Sequence, residues 1–372
     1  MRLAFIHELP LEYYPPATNL IEYVSSFSDV DIAVYSTHNQ RGRPEYTNTN
    51  VKIWRPQKSL SKNRVLQRLK WHFNVARDLA RHSVNAVLYM EPHSALAPYL
   101  YYRWFRGKAK LFVHHHEYYS PEDYRTVSNK TIRFFHRLET SYLLPKAQWI
   151  SQTNPKRLEL FSADHPTVSR DKMQVLQNLP PASWSKVSNH AWSDACQDGP
   201  LKLVYVGSVS LTDTRIEAVI RWIQQKPQQD VSLDVYAYQV DVQTAEYLKN
   251  NAGPNIRFHS EGIAYRDIPN MLKNYHVGLI LYKGNTVNFQ HNATNKLFEY
   301  LACGLDVWYA DGLKGVEPYR TSSTFPQVLP VPFQNLSHAG NTPNTCRDQL
   351  SHQPWQGSCE EEFARLLEAM RG

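Results

Sequence analysis

At 372 residues, the chain is long enough for two domains with a large core each. It contains no apolar run close to the roughly 20 residues that a membrane-spanning helix needs, so we expect no such span. Its formal net charge is +7, and residues 1–180 hold 25 Lys and Arg against 15 Asp and Glu. This basic first half predicts an anionic partner, either a polyanion or an anionic membrane surface. The alternative is a basic face that is exposed to solvent and binds no partner. Among polyanions, nucleic acid is the less favoured partner.

The cysteine pattern predicts a reducing compartment. The four cysteines are Cys196, Cys303, Cys346 and Cys359, and no two of them form a Cys-x-x-Cys pair. The apolar part of Met1–Glu8 is too short for a signal peptide and predicts a first strand instead. We therefore expect a cytoplasmic protein, with peripheral contact at the inner face of a membrane as an added option.

Short apolar runs alternate with helix-length segments through residues 1–180. This alternation predicts one parallel, doubly wound α/β domain over that range. The predicted strands are Leu3–His7, Val30–Tyr35, Val51–Trp54, Ala86–Met90, Lys110–His114, Gln148–Ser151 and Met173–Gln177. Ligands of such sheets bind beyond the carboxyl ends of the strands, so the residues directly after each run are site candidates.

Three groups of side chains satisfy this rule in the first domain. They are His7 and Glu8 with Tyr13 after the first strand, Glu91 and His93 after the fourth, and His114 to Tyr118 after the fifth. Successive residues of a strand point to opposite faces, so three consecutive histidines cannot all bind one metal ion. We expect no metal site here and assign these residues to the substrate side.

Residues 61–73 form a basic segment with apolar positions at helical spacing. Lys62, Arg64, Arg68 and Lys70 accompany Val65, Leu66, Leu69 and Phe73. Basic amphipathic helices with aromatic ends can rest on anionic lipid, and the aromatic, basic run at residues 101–106 has the same character. The competing interpretation is a helix of the domain core with a solvated basic face.

The polar, Pro- and Ser-containing residues 181–200 predict a linker, after which a second alternating series begins. This series predicts a second doubly wound domain over residues 201–355. Gly207 follows its first strand, where a glycine lets a phosphate approach the backbone. Regularity decreases after Ala310, and residues 356–372 contain a final helix.

The segment Asn292–Asp306 follows the apolar run Val277–Leu281 and predicts a helix with Lys296 and Glu299 in its first turns. A helix N-terminus after a parallel strand is an anion site, and a carboxylate one turn further on can accept ribose hydroxyls. The segment is therefore a candidate nucleotide site. An ordinary amphipathic helix with a surface Lys–Glu pair is the alternative.

The run Asn-Lys-Leu-Phe-Glu-Tyr-Leu-Ala-Cys-Gly-Leu-Asp-Val resembles the donor-binding helix of GT-B glycosyltransferases, and most of all glycosyltransferase family 4 (glycosyltransferase group 1). Five residues match that pattern, and Asp306 stands where proline is usual: the matches are Lys296, Glu299, Ala302, Gly304 and Val307. The resemblance implies the GT-B fold, in which two doubly wound Rossmann-like domains face a central cleft. It also implies that the final helix packs back on the first domain.

The resemblance implies a role for each donor-side residue. Arg215 and Lys296 would stabilise the leaving diphosphate, and Glu299 would bind the ribose. Ser208 stands where the family has an arginine, and His291 stands where it often has a second glutamate. The donor side as a whole would comprise Gly207, Ser208, Arg215, Gly262, Ile263, His291, Asn292, Lys296, Leu297 and Glu299. His116 and Glu117 resemble the catalytic His-Glu segment on the acceptor side.

The predicted function is transfer of a sugar from a UDP-, GDP- or dTDP-linked donor to a glycan, lipid-linked or polyanionic acceptor, as in polysaccharide biosynthesis. The resemblance implies retention of configuration and no metal or cofactor other than the nucleotide sugar. Two alternatives stay open. One is a nucleotide-sugar epimerase with the GT-B fold, and the other is a non-catalytic nucleotide- or sugar-binding subunit that supports a partner.

Overall fold

The computed structural model describes residues 1–39, 44–56, 63–127, 130–186, 200–227, 230–238, 240–338 and 350–372. The chain divides into two compact units. The first comprises Met1–Asn178 and Cys359–Gly372, and the second comprises Leu179–Ser358. Most of the predicted linker lies outside the described residues, as do Cys196, Cys346 and Lys62.

In the first unit, the described residues form a sheet of seven strands in the order β3-β2-β1-β4-β5-β6-β7, with every neighbouring pair parallel. The strands are β1 (Arg2–Ile6), β2 (Asp31–Tyr35), β3 (Lys52–Trp54), β4 (Ala86–Met90), β5 (Lys110–His115), β6 (Trp149–Gln152) and β7 (Met173–Val175). All five residues of β4 are buried, as expected for a strand covered on both faces. The predicted doubly wound sheet is confirmed.

Helices lie between most of these strands along the chain. They are α1 (Pro15–Ser25), α2 (Arg64–Arg81), α3 (Leu96–Arg103), α4 (Pro121–Thr126), α5 (Lys130–Leu138), α6 (Leu144–Lys146) and α7 (Pro155–Asp164), with a π-helical turn at Glu139–Leu143. Helix α7 shows how the sequence sets a boundary. The Asn154 side chain accepts a hydrogen bond from the Arg157 N–H at 2.9 Å, and Pro155 occupies the first helical position, where no N–H is needed.

In the second unit, the main sheet of described residues has six strands in the order β10-β9-β8-β11-β12-β14. The strands are β8 (Leu201–Val206), β9 (Val231–Tyr236), β10 (Ile256–His259), β11 (Val277–Ile280), β12 (Asp306–Ala310) and β14 (Val328–Val331), and a separate pair is formed by β13 (Thr324–Phe325) and β15 (Ser351–His352). The helices are α8 (Ile216–Gln224), α9 (Val242–Asn250), α10 (Ile268–Leu272), α11 (Val287–Gln290) and α12 (Asn295–Ala302). The predicted second parallel domain is also confirmed.

Helix α12 lies directly against strand β11 because position 278 is a glycine. A Cβ atom added to Gly278 would lie 2.2 Å from the ring of Tyr300. The Tyr300 hydroxyl in turn accepts a hydrogen bond from the Val206 N–H of β8 at 3.2 Å. Gly304, with a φ of 72°, ends the helix in the left-handed conformation that glycine adopts at low cost. These contacts fix α12 over the centre of the sheet.

The C-terminal helix α13 (Cys359–Arg371) belongs to the first unit and packs on α1. Its Arg371 guanidinium contacts both carboxylate oxygens of Asp29 at 2.7 and 2.8 Å. The ring centroids of Phe363 and Tyr23 lie 5.9 Å apart. In the described part of the chain, no helix has the length and apolar character to cross a membrane.

Candidate functional site

The second unit contains a buried group of charged side chains on α12. Lys296 is 8% exposed and Glu299 is 7% exposed. The alternative interpretation, an ordinary helix with these two residues as a surface pair, is therefore wrong. Within the described residues, the two side chains do not form an ion pair with each other or with any other residue.

Tyrosines surround the ammonium group of Lys296. Its Nζ donates a hydrogen bond to the Tyr282 hydroxyl at 2.9 Å and lies 5.0 Å from the Tyr282 ring centroid and 5.5 Å from that of Tyr205. Burial lowers the pKa of Lys296, but the neighbouring Tyr282, Tyr205 and Glu299 more than offset this, so the pKa lies above its ordinary value. The site therefore holds a positive charge in a desolvated position.

The carboxyl group of Glu299 has no hydrogen-bond donor within reach among the described residues. Burial raises its pKa to about 7, although the charge of Lys296 lowers it in part. The side chain is largely removed from water and its oxygens have no protein donor in the described part of the chain, so they can accept a hydrogen bond from a ligand. A ligand hydroxyl would restore the missing bond.

The turn after β8 brings the backbone against Lys296. Gly207 has a φ of 116°, and a Cβ atom there would lie 2.9 Å from Lys296 Cε and 3.0 Å from its Nζ. The backbone conformation favours glycine, and a Cβ atom here would displace the end of the Lys296 side chain. Ser208 is exposed, and its carbonyl oxygen accepts a hydrogen bond from the Tyr205 hydroxyl at 2.5 Å. A backbone turn beside a buried cation is an arrangement that can bind an anion.

Arg215 is the N-cap residue of α8, one position before the helix begins at Ile216, and is partly buried. Its N–H donates to the Leu281 carbonyl at 2.7 Å, next to the Tyr282 that contacts Lys296. Both Nη atoms contact the Gln334 side-chain amide, oriented so that its oxygen accepts. The Nε is buried and has no hydrogen-bond acceptor among the described residues. A basic group with unused donor capacity thus lies beside the same loop as Lys296.

Lys283, the residue after Tyr282, supports the loop that follows β11. Its Nζ donates to the Leu211 carbonyl at 2.5 Å, and its N–H donates to the Asp213 carbonyl at 2.8 Å. These bonds join the loop after β8 to the loop after β11. The joined loops lie between Gly207 and Arg215 on one side and directly after β11 on the other.

The other donor-side candidates occupy two further loops of the same unit. Gly262 has a φ of 63° and lies against Tyr238, and Ile263 beside it is half-buried. His291 and Asn292 pack against Gly315, where a Cβ atom would lie 2.5 Å from the Asn292 carbonyl carbon. Leu297 is fully buried in the core. The structure therefore brings Gly207, Arg215, Lys296 and Glu299 into one region and gives Leu297 a packing role.

In the first unit, aromatic rings gather where β1 and β5 end. The His7 ring lies 4.5 Å from Tyr14 and 6.2 Å from His116, and His116 lies 4.7 Å from His114. Burial lowers the pKa of His7 to about 4 and of His114 to about 3, and holds that of His116 well below its usual range. These imidazoles are therefore neutral at pH 7 and can accept or donate one hydrogen bond at each nitrogen.

Glu91 directly follows β4 and has a φ of 64°, a conformation that is unusual for a residue other than glycine. Its Oε1 accepts hydrogen bonds from the N–H groups of His116 at 2.5 Å and Glu117 at 3.2 Å. Burial raises the pKa of Glu91 to about 7, whereas the neighbouring His115 lowers it. Such strained, titratable residues are concentrated at functional sites.

A cavity of about 420 Å³ opens beside Glu91. Its lining combines acidic, imidazole and aromatic groups with apolar side chains, and includes Glu91, His93, Tyr119, Asp123, Tyr124 and Ile132. The Nδ1 of His93 is buried and has no hydrogen-bond partner among the described residues. Polar groups beside aromatic faces are suited to a sugar or another polyhydroxy ligand.

Three of the predicted substrate-side residues have structural partners elsewhere. The Glu8 carboxylate contacts Arg68, and burial of the acid is outweighed by His72 and Arg68, so its pKa lies below the usual value. The Tyr13 hydroxyl donates to Asn39 at 2.7 Å, and the Tyr118 hydroxyl donates to Asp164 at 2.6 Å. Tyr118 belongs to the hydrophobic core. The structure gives Tyr118 a packing role, and its contact with a ligand stays a prediction.

Several residues of these sites were not predicted from the sequence. Arg157 is fully buried, donates to the His116 carbonyl at 2.7 Å and contacts the Glu117 carboxylate at 3.3 Å. Tyr205 and Tyr282 surround Lys296, and Tyr119 and Asp123 line the cavity. The positions of Tyr205 and Tyr282 at or after the ends of β8 and β11 were an available signal. No sequence pattern marks Arg157.

Solved structures with the same fold match nearly the entire chain. The apo form of the lipopolysaccharide outer core galactosyltransferase WaaB is 13% identical, with a TM-score of 0.63 and 99% of each chain covered. HepE from Anabaena in complex with UDP and glucose is 14% identical, with a TM-score of 0.64 over 100% of this chain and 95% of its own. The UDP-GlcNAc 2-epimerase from Methanocaldococcus jannaschii is 12% identical, with a TM-score of 0.56 and 99% of both chains covered.

At these identities, the likeness is evidence of the fold alone. No protein-family model matches the sequence, and curated proteins give no significant sequence match. The predicted GT-B fold, with two Rossmann-like domains, is confirmed.

Proposed function

We propose that this protein is a glycosyltransferase, similar to family 4, that takes a sugar from a nucleotide-diphosphate donor. The observation that carries the proposal is the pair of buried, ionisable groups on α12: Lys296 against the Gly207 turn, and Glu299 with no donor among the described residues. A diphosphate suits the first group and a ribose suits the second. UDP is the preferred nucleotide because HepE was solved with UDP.

The leaving diphosphate would be stabilised by fixed positive charge. Lys296 is desolvated and held by Tyr282, so its charge acts in a medium of low dielectric constant, where it is worth more than in water. Arg215 has a buried Nε without an acceptor among the described residues and could turn this donor towards a phosphate oxygen. With these two cations, the proposed reaction needs no arginine at position 208. We propose retention of configuration without a metal ion, which the family resemblance implies.

We propose that the acceptor lies on the first unit, at the cavity beside Glu91 and His93. Tyr119 and Tyr124 offer ring faces there, and Asp123 offers a carboxylate for hydroxyl groups. A glycan acceptor fits these groups. His116 is neutral and buried, and Arg157 contacts the Glu117 carboxylate. His116 and Glu117 would therefore position the segment after β5 next to the acceptor.

Turnover with a panel of UDP-, GDP- and dTDP-sugars, with and without glycan acceptors, tests this proposal. We expect release of UDP from one donor to increase strongly when a suitable acceptor is present. Arg215→Ala should reduce kcat by about tenfold to a thousandfold with a smaller effect on donor binding, as expected when a group stabilises mainly the transition state. Arg221→Ala is the matched control, because Arg221 is an exposed residue on the same helix that pairs with Glu217. Equal turnover of the two variants would reject the diphosphate role.

The epimerase alternative is supported by the likeness to UDP-GlcNAc 2-epimerase. The same incubation without acceptor separates the two functions, because an epimerase would yield a new sugar nucleotide and a transferase would yield at most slow hydrolysis. Tight nucleotide binding without turnover of any donor would favour the non-catalytic subunit.

A further inference from the structure

Helix α2 exposes an apolar stripe to solvent. Val65, Leu66, Leu69 and Phe73 are 54%, 47%, 41% and 40% exposed. Three of them are spaced by four residues, so they follow one another along a single face of the helix. A different face of α2 is buried against the core through Trp71, His72, Val75, Ala76 and Leu79. The stripe is therefore additional to what the fold requires.

The stripe continues onto the end of α3. The rings of Phe73 and Phe105 lie 6.0 Å apart, and the neighbouring Trp104 is 64% exposed. We call the six residues Val65, Leu66, Leu69, Phe73, Trp104 and Phe105 the α2–α3 surface. A contiguous apolar patch of this kind marks an interaction site more often than scattered exposed residues do.

The segments that carry the α2–α3 surface contain cations and no acids. Residues 64–77 and 103–110 include no Asp or Glu, and their basic residues are Arg64, Arg68, Lys70, Arg77, Arg103, Arg106, Lys108 and Lys110. The Arg68 guanidinium forms a salt bridge with the Glu8 carboxylate. Lys70, Arg77, Arg103 and Arg106 are exposed. The α2–α3 surface thus combines exposed apolar side chains with exposed positive charges.

We propose that the α2–α3 surface docks this protein on an anionic lipid bilayer. Leu, Phe and Trp side chains can enter the boundary between head groups and acyl chains, and a tryptophan is favoured at that depth. The surrounding cations would attract anionic head groups. The charge disfavours a second copy of this chain as the occupant, because two such basic surfaces placed face to face would repel each other.

This inference goes beyond the proposed function and does not depend on it, because lipid binding is measured without any donor or turnover. The experiment is co-sedimentation of the full chain with vesicles of phosphatidylcholine alone or mixed with phosphatidylglycerol, at low and high salt. One variant, Leu66→Glu with Leu69→Glu, tests the apolar part. A second, Lys70→Glu with Arg77→Glu, tests the charge.

Matched controls lie on the second unit. Val242 is 75% exposed, so Val242→Glu places a charge on an exposed apolar residue elsewhere, and Lys249→Glu with Arg266→Glu reverses two exposed cations. All of the substituted side chains are exposed. Circular dichroism and thermal unfolding verify that each variant is folded.

We expect the wild type and both controls to bind the anionic vesicles, with weaker binding at high salt. The Leu66/Leu69 variant should bind at least tenfold more weakly, and each lost cation should cost about fivefold (roughly 1 kcal/mol). Equal binding by variants and controls, or no binding by the wild type, overturns the proposal. So does a wild-type dimer that the Leu66/Leu69 variant dissociates, or binding to RNA without binding to vesicles.

Discussion

Glu299 combines burial, a pKa of about 7 and the absence of a donor among the described residues. A carboxyl group with a raised pKa is protonated more readily in the folded protein than in the unfolded chain. Accepting a ribose hydroxyl favours the ionised form, so nucleotide binding should lower this pKa and release a proton. The proposed role therefore predicts a specific pH dependence.

The affinity of the wild type for UDP should rise between about pH 6 and pH 8, as Glu299 loses its proton in the free protein. Isothermal titration calorimetry in two buffers of different ionisation enthalpy measures both the affinity and the proton release. Glu299→Gln is the control, since any remaining slope belongs to the phosphate groups of UDP. The same slope in wild type and variant would show that Glu299 does not contact the nucleotide.

The sequence predicts the charged residues of this site better than it predicts their surroundings. Lys296 and Glu299 were recognisable by spacing and position. Their burial was not, because it depends on Tyr205 and Tyr282, which are distant in sequence from α12 and meet Lys296 only in the folded unit. The same limitation applies to Arg157, which reaches His116 from 41 residues away.

At the scale of elements, the turn between β8 and α8 is the most constrained part of the donor side. Gly207 has a φ of 116°, and a Cβ atom there would press on Lys296. Gly312 also has a positive φ, 87°, but nothing lies within 4 Å of its Cβ position. Substitution of Gly312 therefore tests the strained backbone conformation alone, whereas substitution of Gly207 tests that conformation together with the contact to Lys296.

Gly207→Ala and Gly312→Ala should each lower the free energy of unfolding by about 1–3 kcal/mol, the usual cost of a strained backbone conformation. Only Gly207→Ala should also weaken UDP binding, because its methyl group displaces Lys296. Urea unfolding gives the first quantity and calorimetry gives the second. If both variants bind UDP like the wild type, the Gly207 turn is not part of the nucleotide site.

Elements were predictable where apolar runs and helical segments alternate regularly. The seven strands of the first sheet follow the predicted runs within a few residues, and β11 of the second sheet follows the apolar run Val277–Leu281. Beyond Ala310, prediction failed because β13, β14 and β15 have two to four residues each and include polar or proline positions. Strands that short are defined by the neighbours they pair with.

On the scale of the whole molecule, buried imidazoles make the first unit sensitive to acid. Burial lowers the pKa values of His7, His72, His114 and His116 below the ordinary 6.5. The unfolded chain then binds more protons than the folded protein below about pH 6.5, so the free energy of unfolding falls as the pH decreases. Glu91 and Glu299, whose pKa values are raised, act in the opposite direction.

We expect urea unfolding to require less denaturant at pH 5 than at pH 7. His7→Gln should reduce this difference, because it removes one group that resists protonation in the folded state. His352→Gln, at an exposed position of the second unit, is the control and should leave the difference unchanged. A His7→Gln variant with the full wild-type pH dependence would contradict this explanation.

The central claim is that a nucleotide binds to α12 through Glu299, and calorimetry of UDP binding near pH 8 tests it most directly. Glu299→Gln should bind UDP about 1–3 kcal/mol more weakly than the wild type, the loss expected when a hydrogen bond to a charged group is removed. Glu246→Gln, at an exposed position on α9, should bind UDP like the wild type. Unchanged affinity of a folded Glu299→Gln variant would contradict the account.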